Sequence, residues 1–284
     1  MTILDTRRLE DFDAAYSNGG AVEGSQAFPE RWTERAEAFR ETIMADGRGS
    51  LDQPYGEAER QVYDLFLPVH PPKGLVVFIH GGYWMRLSKS FFSHLAQGPL
   101  GRGYAVAMPS YTLAPEARIE EIVKEIGIFL DCVAEKVDGP ITIAGHSAGG
   151  HLAARIASST APISDAVRER VEAYLSISGV HDLRPLLRTD MNATLHLDED
   201  EARTESPALL EPANETPVTL VVGADELPEF LRQTALLASA WYGMGIPIAT
   251  SEVRGRHHYD VLDALVDPKS EMTAVLTPGY DEGD

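Results

Sequence analysis

Short apolar runs and amphipathic stretches alternate along the chain from about residue 60. The length and the β-branched, aromatic composition of the apolar runs predict β-strands at 62–67, 75–79, 104–109, 141–144, 173–179, 218–223 and 248–253. The run at 75–79 is apolar at every position, which is typical of a strand buried on both faces. Periodic apolar positions between the runs predict helices at about 91–97, 119–137, 152–157, 229–242 and 259–265.

This alternation predicts an α/β fold, with a mostly parallel central sheet, helices on both of its faces and functional residues at the carboxyl ends of the strands. Residues 1–55 show no strand pattern but contain a predicted helix at 28–45 with its apolar residues on one face. We expect them to form an arm or lid element that packs on a main domain at 56–284. An irregular, acidic insertion at about 181–213 is expected to add to this small cap, since long connections are often functional.

The pentapeptide Gly-His-Ser-Ala-Gly at 145–149 lies between a predicted strand and a predicted helix. A strand, a serine flanked by glycines and a helix form the context of a nucleophile elbow. The turn is so sharp that side chains at Gly145 and Gly149 would collide with the strand or the helix. Ser147 is therefore the candidate nucleophile.

A serine hydroxyl needs an adjacent base, and that base needs an acid to orient it. In this fold the chain order is Ser, then Asp or Glu, then His. Asp225 directly follows the predicted strand at 218–223 and is favoured over its neighbour Glu226, because Asp225 is nearer the strand end. His257 and His258 both follow the strand at 248–253, and composition alone does not choose between them.

Attack on a carbonyl develops negative charge on its oxygen, which backbone N–H groups must face. The glycines after the strand at 75–79 let the backbone approach a ligand closely, so we expect the N–H groups of Gly82, Tyr83 and Ala148 to form this oxyanion hole. Residues near the strand ends are candidates for the substrate pocket: Trp84, Tyr111, His181 and Tyr259.

Other chemistries are less well supported by the sequence. Neither glycine-rich stretch fits the G-x-G-x-x-G pattern of a dinucleotide site. His146 and His151 are five residues apart rather than the four that place two zinc ligands on one helical face. We therefore expect neither a metal nor an organic cofactor.

Charge and composition restrict the partners. The formal net charge is −20 and the sequence pI is near 4.8. The sequence therefore lacks the basic footprint of a nucleic-acid-binding protein and would be repelled by anionic membranes. Strongly anionic substrates are also disfavoured unless a local basic patch exists. A homodimer is compatible with the sequence, but nothing in it requires one.

The chain has one cysteine, Cys132, so an intramolecular disulfide is excluded, and its amphipathic setting indicates a small buried hydrophobe. The first residues show no apolar signal-peptide region, and the longest apolar runs are too short to span a bilayer. A cytoplasmic location is the expectation.

Four motifs resemble the kynurenine formamidase (arylformamidase) branch of the α/β-hydrolase fold, close to the hormone-sensitive-lipase-type esterases. They are His-Gly-Gly-Tyr-Trp at 80–84, Gly-His-Ser-Ala-Gly-Gly-His-Leu at 145–152, Ser-Gly-Val-His-Asp-Leu-Arg-Pro at 178–185 and Asp-Glu-Leu-Pro-Glu-Phe at 225–230. His-Tyr-Asp at 258–260 resembles the family's His-aromatic-acid motif, which selects His258 as the base. The likeness covers roughly residues 60–267.

The resemblance implies a serine hydrolase that cleaves a small ester or amide through an acyl-enzyme, with an N-formylkynurenine-type substrate. General esterases of this kind usually carry a third glycine where Tyr83 stands, so the first motif favours the formamidase branch. His181 departs from the aromatic residue usual in the family, which bears on the substrate. The alternatives are a short-chain carboxylesterase and, more remotely, a non-catalytic ligand-binding relative.

Overall fold

The computed structural model describes residues 11–280. Its centre is an eight-stranded sheet in the order β1-β2-β4-β3-β5-β6-β7-β8. The strands are β1 Gly49–Pro54, β2 Val62–Phe66, β3 Leu75–Ile79, β4 Ala105–Pro109, β5 Ile141–His146, β6 Val171–Ile177, β7 Val218–Gly223 and β8 Ile248–Val253. β2 is antiparallel to both β1 and β4, and every other pairing is parallel. The predicted mostly parallel sheet is confirmed.

Helices connect the strands and cover both faces of the sheet. The α-helices are α1 Phe12–Tyr16, α2 Asn18–Ala21, α3 Phe28–Ala45, α4 Gln97–Gly101, α5 Ile119–Ala134, α6 Ala148–Ile156, α7 Asp165–Arg170, α8 Asn192–Leu195, α9 Glu199–Thr204, α10 Pro228–Trp241 and α11 Glu271–Leu276. The helices predicted at 91–97 and 259–265 are largely 3₁₀ segments, at Lys89–Phe91, Ser93–Ala96 and Val261–Val266.

Two apolar clusters form the core, one on each face of the sheet. Successive residues of β3 alternate between them: Leu75, Val77 and Ile79 belong to the cluster that packs on α5, α6 and α10, whereas Val76 and Phe78 belong to the cluster that packs on α3 and α11. Because both faces are covered, every position of β3 must be apolar. The uninterrupted run in the sequence is thus explained.

Strand β1 was not predicted, and the expectation that residues 1–55 contain no strand is wrong. Its sequence, Gly-Ser-Leu-Asp-Gln-Pro, is polar, and most of its positions are exposed. β1 is an edge strand with a register shift between Ser50 and Gln53, and such strands carry little hydrophobic periodicity.

A buried ion pair holds β1 to the sheet. The Asp64 side chain of β2 is 1% exposed and accepts hydrogen bonds from the Asp52 backbone N–H at 2.9 Å and from the Lys89 ammonium at 2.6 Å. The same ammonium contacts the Asp52 carboxylate at 2.7 Å. One buried cation therefore neutralises Asp64 and fixes the edge strand through Asp52.

Several histidines are buried, and the cost of desolvating the charged imidazole outweighs the groups that favour its protonation. Burial lowers the pKa of His80 to about 3, that of His94 to about 4, that of His151 to about 4 and that of His181 to about 3. Between these lowered pKa values and the ordinary value of about 6.5, the imidazoles are neutral in the native protein but become protonated in the unfolded chain.

We predict that Lys89→Met lowers the free energy of unfolding by about 3–5 kcal/mol, because it leaves the Asp64 carboxylate buried without a counter-charge. Urea unfolding at neutral pH measures this. Lys124→Met is the matched control, since the exposed Lys124–Glu120 pair lies at 3.5 Å on α5 and its loss should cost about 0.5 kcal/mol or less. Equal effects of the two substitutions would contradict the role of the buried pair.

We also predict that stability falls as the pH drops below about 6.5. Between that pH and the lowered pKa values of the buried histidines, the unfolded chain binds more protons than the native protein, so acid favours unfolding. Each such histidine contributes about 1.4 kcal/mol per pH unit in this window. Urea unfolding in steps from pH 7.5 to about 5 tests this, and a stability that stays level over that range would contradict it.

Candidate active site

Ser147 lies at the sharp turn between β5 and α6. Its φ is 56° and its ψ is −116°, a backbone conformation that residues other than glycine rarely adopt. A Cβ added at Gly145 would lie 2.0 Å from the Gly149 carbonyl oxygen, and one added at Gly149 would lie 2.0 Å from the Ile79 carbonyl oxygen. Both flanking positions must therefore be glycine, and the predicted elbow geometry is confirmed.

The structure pairs His258 with Glu226 rather than with Asp225. His258 Nδ1 donates to Glu226 Oε2 at 2.7 Å, and both side chains are buried. Glu226 Oε1 accepts hydrogen bonds from the Ser178 hydroxyl at 2.5 Å and from the Gly223 backbone N–H at 2.8 Å. The carboxylate is thus bonded at both oxygens.

The prediction that Asp225 is the acid is wrong, for a geometric reason. After β7 the chain makes a tight turn in which the Glu226 N–H donates to the Gly223 carbonyl at 3.2 Å. This turn directs the Asp225 side chain to solvent and the Glu226 side chain inward. Nearness to the strand end was therefore the wrong criterion, because the turn decides which of two adjacent acids faces the histidine.

The electrostatics of this pair favour a charged carboxylate. Burial opposes ionisation of Glu226, but the positive charge of His258 and the hydrogen bonds from His258, Ser178 and Gly223 outweigh it. The pKa of Glu226 is consequently held below its usual range. An ionised acceptor at this position fixes His258 with its proton on Nδ1 and leaves Nε2 free to accept one.

Neighbouring groups fix the position of the His258 ring. His146 Nε2 lies 2.9 Å from the His258 carbonyl oxygen and donates to it, and the Phe230 ring packs 4.6 Å from the imidazole. Burial, with the nearby charge of His258, lowers the pKa of His146 far below its usual value, so His146 stays neutral. Ser147 and His258 line one cavity of about 200 Å³.

The loop after β3 forms another wall of this cavity through Gly81, Gly82 and Tyr83. Gly82 has φ 115° and Tyr83 has φ 56°. The Met85 and Arg86 N–H groups both donate to the Gly82 carbonyl at 3.0 Å, which closes a tight turn. Among the hydrogen bonds of residues 11–280, none is donated by the N–H groups of Gly82 or Tyr83. These donors remain available for an oxyanion, and the assignment of Gly82, Tyr83 and Ala148 stays a prediction.

The N-terminal arm covers the cavity. Gly19, Ser25, Gln26, Pro29 and Trp32 all contribute to its lining. The Tyr83 hydroxyl donates to the Tyr16 carbonyl at 2.7 Å and accepts from the Asn18 side-chain amide at 3.2 Å. The arm is therefore attached directly to the loop after β3.

Of the four residues predicted to line the pocket, only Tyr259 does so. The other three are buried beneath it. Trp84 packs edge-on against His151 at 5.1 Å, and Tyr111 stacks on His80 at 4.3 Å. The His181 backbone N–H donates to Gln233 Oε1 at 2.8 Å. These predictions are wrong because position after a strand does not show whether a side chain faces the cavity or the core.

Sequence reasoning missed Ser178, which orients Glu226, and several cavity residues, among them Trp32, Arg86 and Phe92. Trp32 and Phe92 occupy apolar positions that look like ordinary core.

The insertion at 181–213 contacts the arm, since the Asp190 N–H donates to Asp13 Oδ1 at 2.7 Å.

Within residues 11–280, no group of three or more His, Cys, Asp or Glu side chains is arranged to hold a metal ion. No helix in the same range is long and apolar enough to cross a membrane. The expected cytoplasmic location and the compatible homodimer stay predictions.

Comparisons with known proteins agree with this geometry. The model of the BD-FAE family matches residues 63–225. Kynurenine formamidase from Danio rerio is 30% identical over 253 residues, which cover 86% of this chain and 84% of the fish enzyme. The kynurenine formamidase of Salmo salar is 29% identical with the same coverage.

Solved structures give the same fold. A protein from Silicibacter sp. TM1040, described provisionally as a thioesterase, superimposes with a TM-score of 0.90 at 44% identity and covers 94% of this chain and 99% of that one. A Pyrobaculum calidifontis esterase superimposes with a TM-score of 0.66 at 18% identity, with coverages of 90% and 94%. The chain therefore belongs to the kynurenine formamidase family of α/β-hydrolases, with the BD-FAE domain at 63–225, and is an enzyme that hydrolyses an ester or amide bond.

Proposed function

We propose that Ser147, His258 and Glu226 form a catalytic triad that cleaves an aryl formamide of the N-formylkynurenine type through an acyl-enzyme. The observation that carries the proposal is the buried His258–Glu226 pair at 2.7 Å, which lines one cavity with a serine held at a strained elbow. An orienting acid, a base and a nucleophile at the cavity are the parts that acyl transfer needs.

In the first half-reaction, Ser147 Oγ attacks the formyl carbon while His258 Nε2 takes the hydroxyl proton. The resulting imidazolium is stabilised by the ionised Glu226. Negative charge develops on the carbonyl oxygen, and the N–H groups of Gly82, Tyr83 and Ala148 stabilise it by donating hydrogen bonds. Collapse of the tetrahedral intermediate breaks the C–N bond, and the imidazolium returns the proton to the leaving aryl amine.

In the second half-reaction, water attacks the formyl ester on Ser147 with His258 again as the base. The ester C–O bond then breaks, Ser147 regains its proton and formate leaves. The chain's own residues supply the nucleophile, the base and the oxyanion donors for both halves.

The cavity supports a small acyl group with an aromatic leaving group. Its volume is about 200 Å³, and a cavity of about 150 Å³ is known to accommodate benzene. Trp32, Phe92 and Tyr259 supply aromatic walls. A planar aryl amine fits between such rings, and the remaining space suits formyl better than a longer acyl chain. The name of the Danio rerio relative points to the same substrate class.

We predict that N-formylkynurenine is hydrolysed with a higher kcat/KM than 4-nitrophenyl acetate. We also expect 4-nitrophenyl acetate to be hydrolysed with a higher kcat/KM than 4-nitrophenyl butyrate. Steady-state kinetics on the purified protein measure this. Ser147→Ala, as the control, should lower kcat by about 10³–10⁶-fold with the fold intact. A preference for butyrate would replace the formamidase proposal by the short-chain carboxylesterase alternative.

We also predict that Glu226→Gln lowers kcat by about 10³–10⁴-fold, because a neutral amide neither selects the productive tautomer of His258 nor stabilises its imidazolium. Asp225→Asn is the matched control and should change kcat by no more than about twofold, since the Asp225 side chain is exposed. Thermal unfolding of both variants separates lost catalysis from lost folding. The reverse ranking of the two variants would reinstate Asp225 as the acid.

A further inference from the structure

Arg86 is the one residue with a permanent charge among the residues that line the cavity at Ser147. No aspartate or glutamate is among those lining residues, although the chain has 44 acidic residues against 24 Lys and Arg. A positive side chain is therefore retained at the active-site cavity of a strongly acidic protein. The charge balance of the whole chain does not predict this.

Arg86 is held in place by its backbone and by a cation–π contact with Tyr83. Its backbone N–H closes the turn on the Gly82 carbonyl at 3.0 Å, and its guanidinium lies 4.8 Å from the centre of the Tyr83 ring. None of the ion pairs found within residues 11–280 involves Arg86. Other arginines in that range do pair with carboxylates: Arg35, Arg118, Arg155, Arg184 and Arg232.

Arg86 also lies where the inner cavity meets an outer one. An outer cavity of about 700 Å³, formed largely by the arm, shares Gly19, Ser25, Gln26, Tyr83 and Arg86 with the inner one. A substrate that reaches Ser147 from this side passes the exposed guanidinium.

Two carboxylates line the outer cavity, and each is engaged by a backbone donor. Asp11 Oδ1 accepts from the Ala14 N–H at 2.9 Å, and Asp13 Oδ1 accepts from the Asp190 N–H at 2.7 Å. Among the ion pairs of residues 11–280, none joins either carboxylate to Arg86. The guanidinium contacts Tyr83, but within residues 11–280 no carboxylate neutralises it, so its charge is available to an anion that arrives from outside.

We propose that Arg86 is an anion subsite that binds a carboxylate on the leaving-group side of the substrate. The proposal rests on the proposed function, because it places the scissile formamide at Ser147 and the aryl ring between the aromatic walls. Guanidinium is suited to this task, since its planar fork binds carboxylate in two parallel hydrogen bonds. Arg86 is then the residue that determines specificity for leaving groups that carry a carboxylate.

A matched pair of substrates tests the subsite. The acid is 4-(2-formamidophenyl)-4-oxobutanoate, and the control is its primary amide, which has the same shape and no charge. We expect the wild-type enzyme to prefer the acid by about tenfold in kcat/KM, mainly through KM. In Arg86→Gln this ratio should fall to about one, and Arg86→Lys should retain part of it.

Arg31→Gln is the control variant. Arg31 is also exposed, and its guanidinium lies 4.7 Å over the Phe28 ring, but it is not among the residues of the cavity. Its substitution should leave the ratio as in the wild type. An Arg86→Gln enzyme that keeps the preference for the acid, or a wild type that prefers the amide, would overturn the subsite.

A second measurement separates failure of the subsite from failure of the proposed function. If the wild type cleaves 4-nitrophenyl acetate but neither formamide, the formamidase proposal fails and the subsite is examined by inhibition. 4-Oxo-4-phenylbutanoate should then inhibit ester hydrolysis about tenfold more strongly than its amide, and this difference should disappear in Arg86→Gln. Equal inhibition of the wild type by both compounds would reject the subsite by itself.

Discussion

The carboxylate of Glu226 joins the carboxyl ends of three neighbouring strands. It accepts hydrogen bonds from Ser178 after β6, from Gly223 at the end of β7 and from His258 after β8. A buried carboxylate without partners would cost several kcal/mol, so these bonds must form together for the sheet edge to be stable. The elbow depends on the same edge, since the Ser147 N–H donates to the Ile177 carbonyl at 2.8 Å. The hydrogen-bonded Glu226 carboxylate thus fixes both the position of His258 and the alignment of the strand ends beside Ser147.

The sequence predicts those parts of the fold that depend on local pattern. β3 and β7 are found at the predicted residues, because short apolar runs rich in β-branched residues are typical of buried strands. The elbow is predicted as well, since its two glycines follow from sterics at neighbouring positions. The choice between Asp225 and Glu226 depends instead on a turn whose geometry is set by contacts with β8. No local pattern contains that information.

Long-range contacts explain the remaining errors and omissions. The arm is held by the Tyr16 hydroxyl, which donates to Glu229 Oε1 at 2.6 Å across 213 residues of sequence. Glu229 lies on α10, which also carries Phe230 against the His258 ring. The arm therefore connects α10, which packs on the histidine, with the loop after β3, which lines the cavity at the serine. Trp32 becomes part of the cavity only because the arm is docked in this way.

Tyr83 combines two requirements that oppose each other. Its φ of 56° costs of order 1 kcal/mol for a residue with a side chain, and glycine would avoid that cost. The hydroxyl offsets the strain with its bonds to Tyr16 and Asn18, each worth about 1 kcal/mol. Glycine at this position would relax the loop but would release the arm and widen the cavity. A strained tyrosine therefore makes the shape of the loop after β3 and the closure of the cavity interdependent, which agrees with the small formyl group of the proposed substrate.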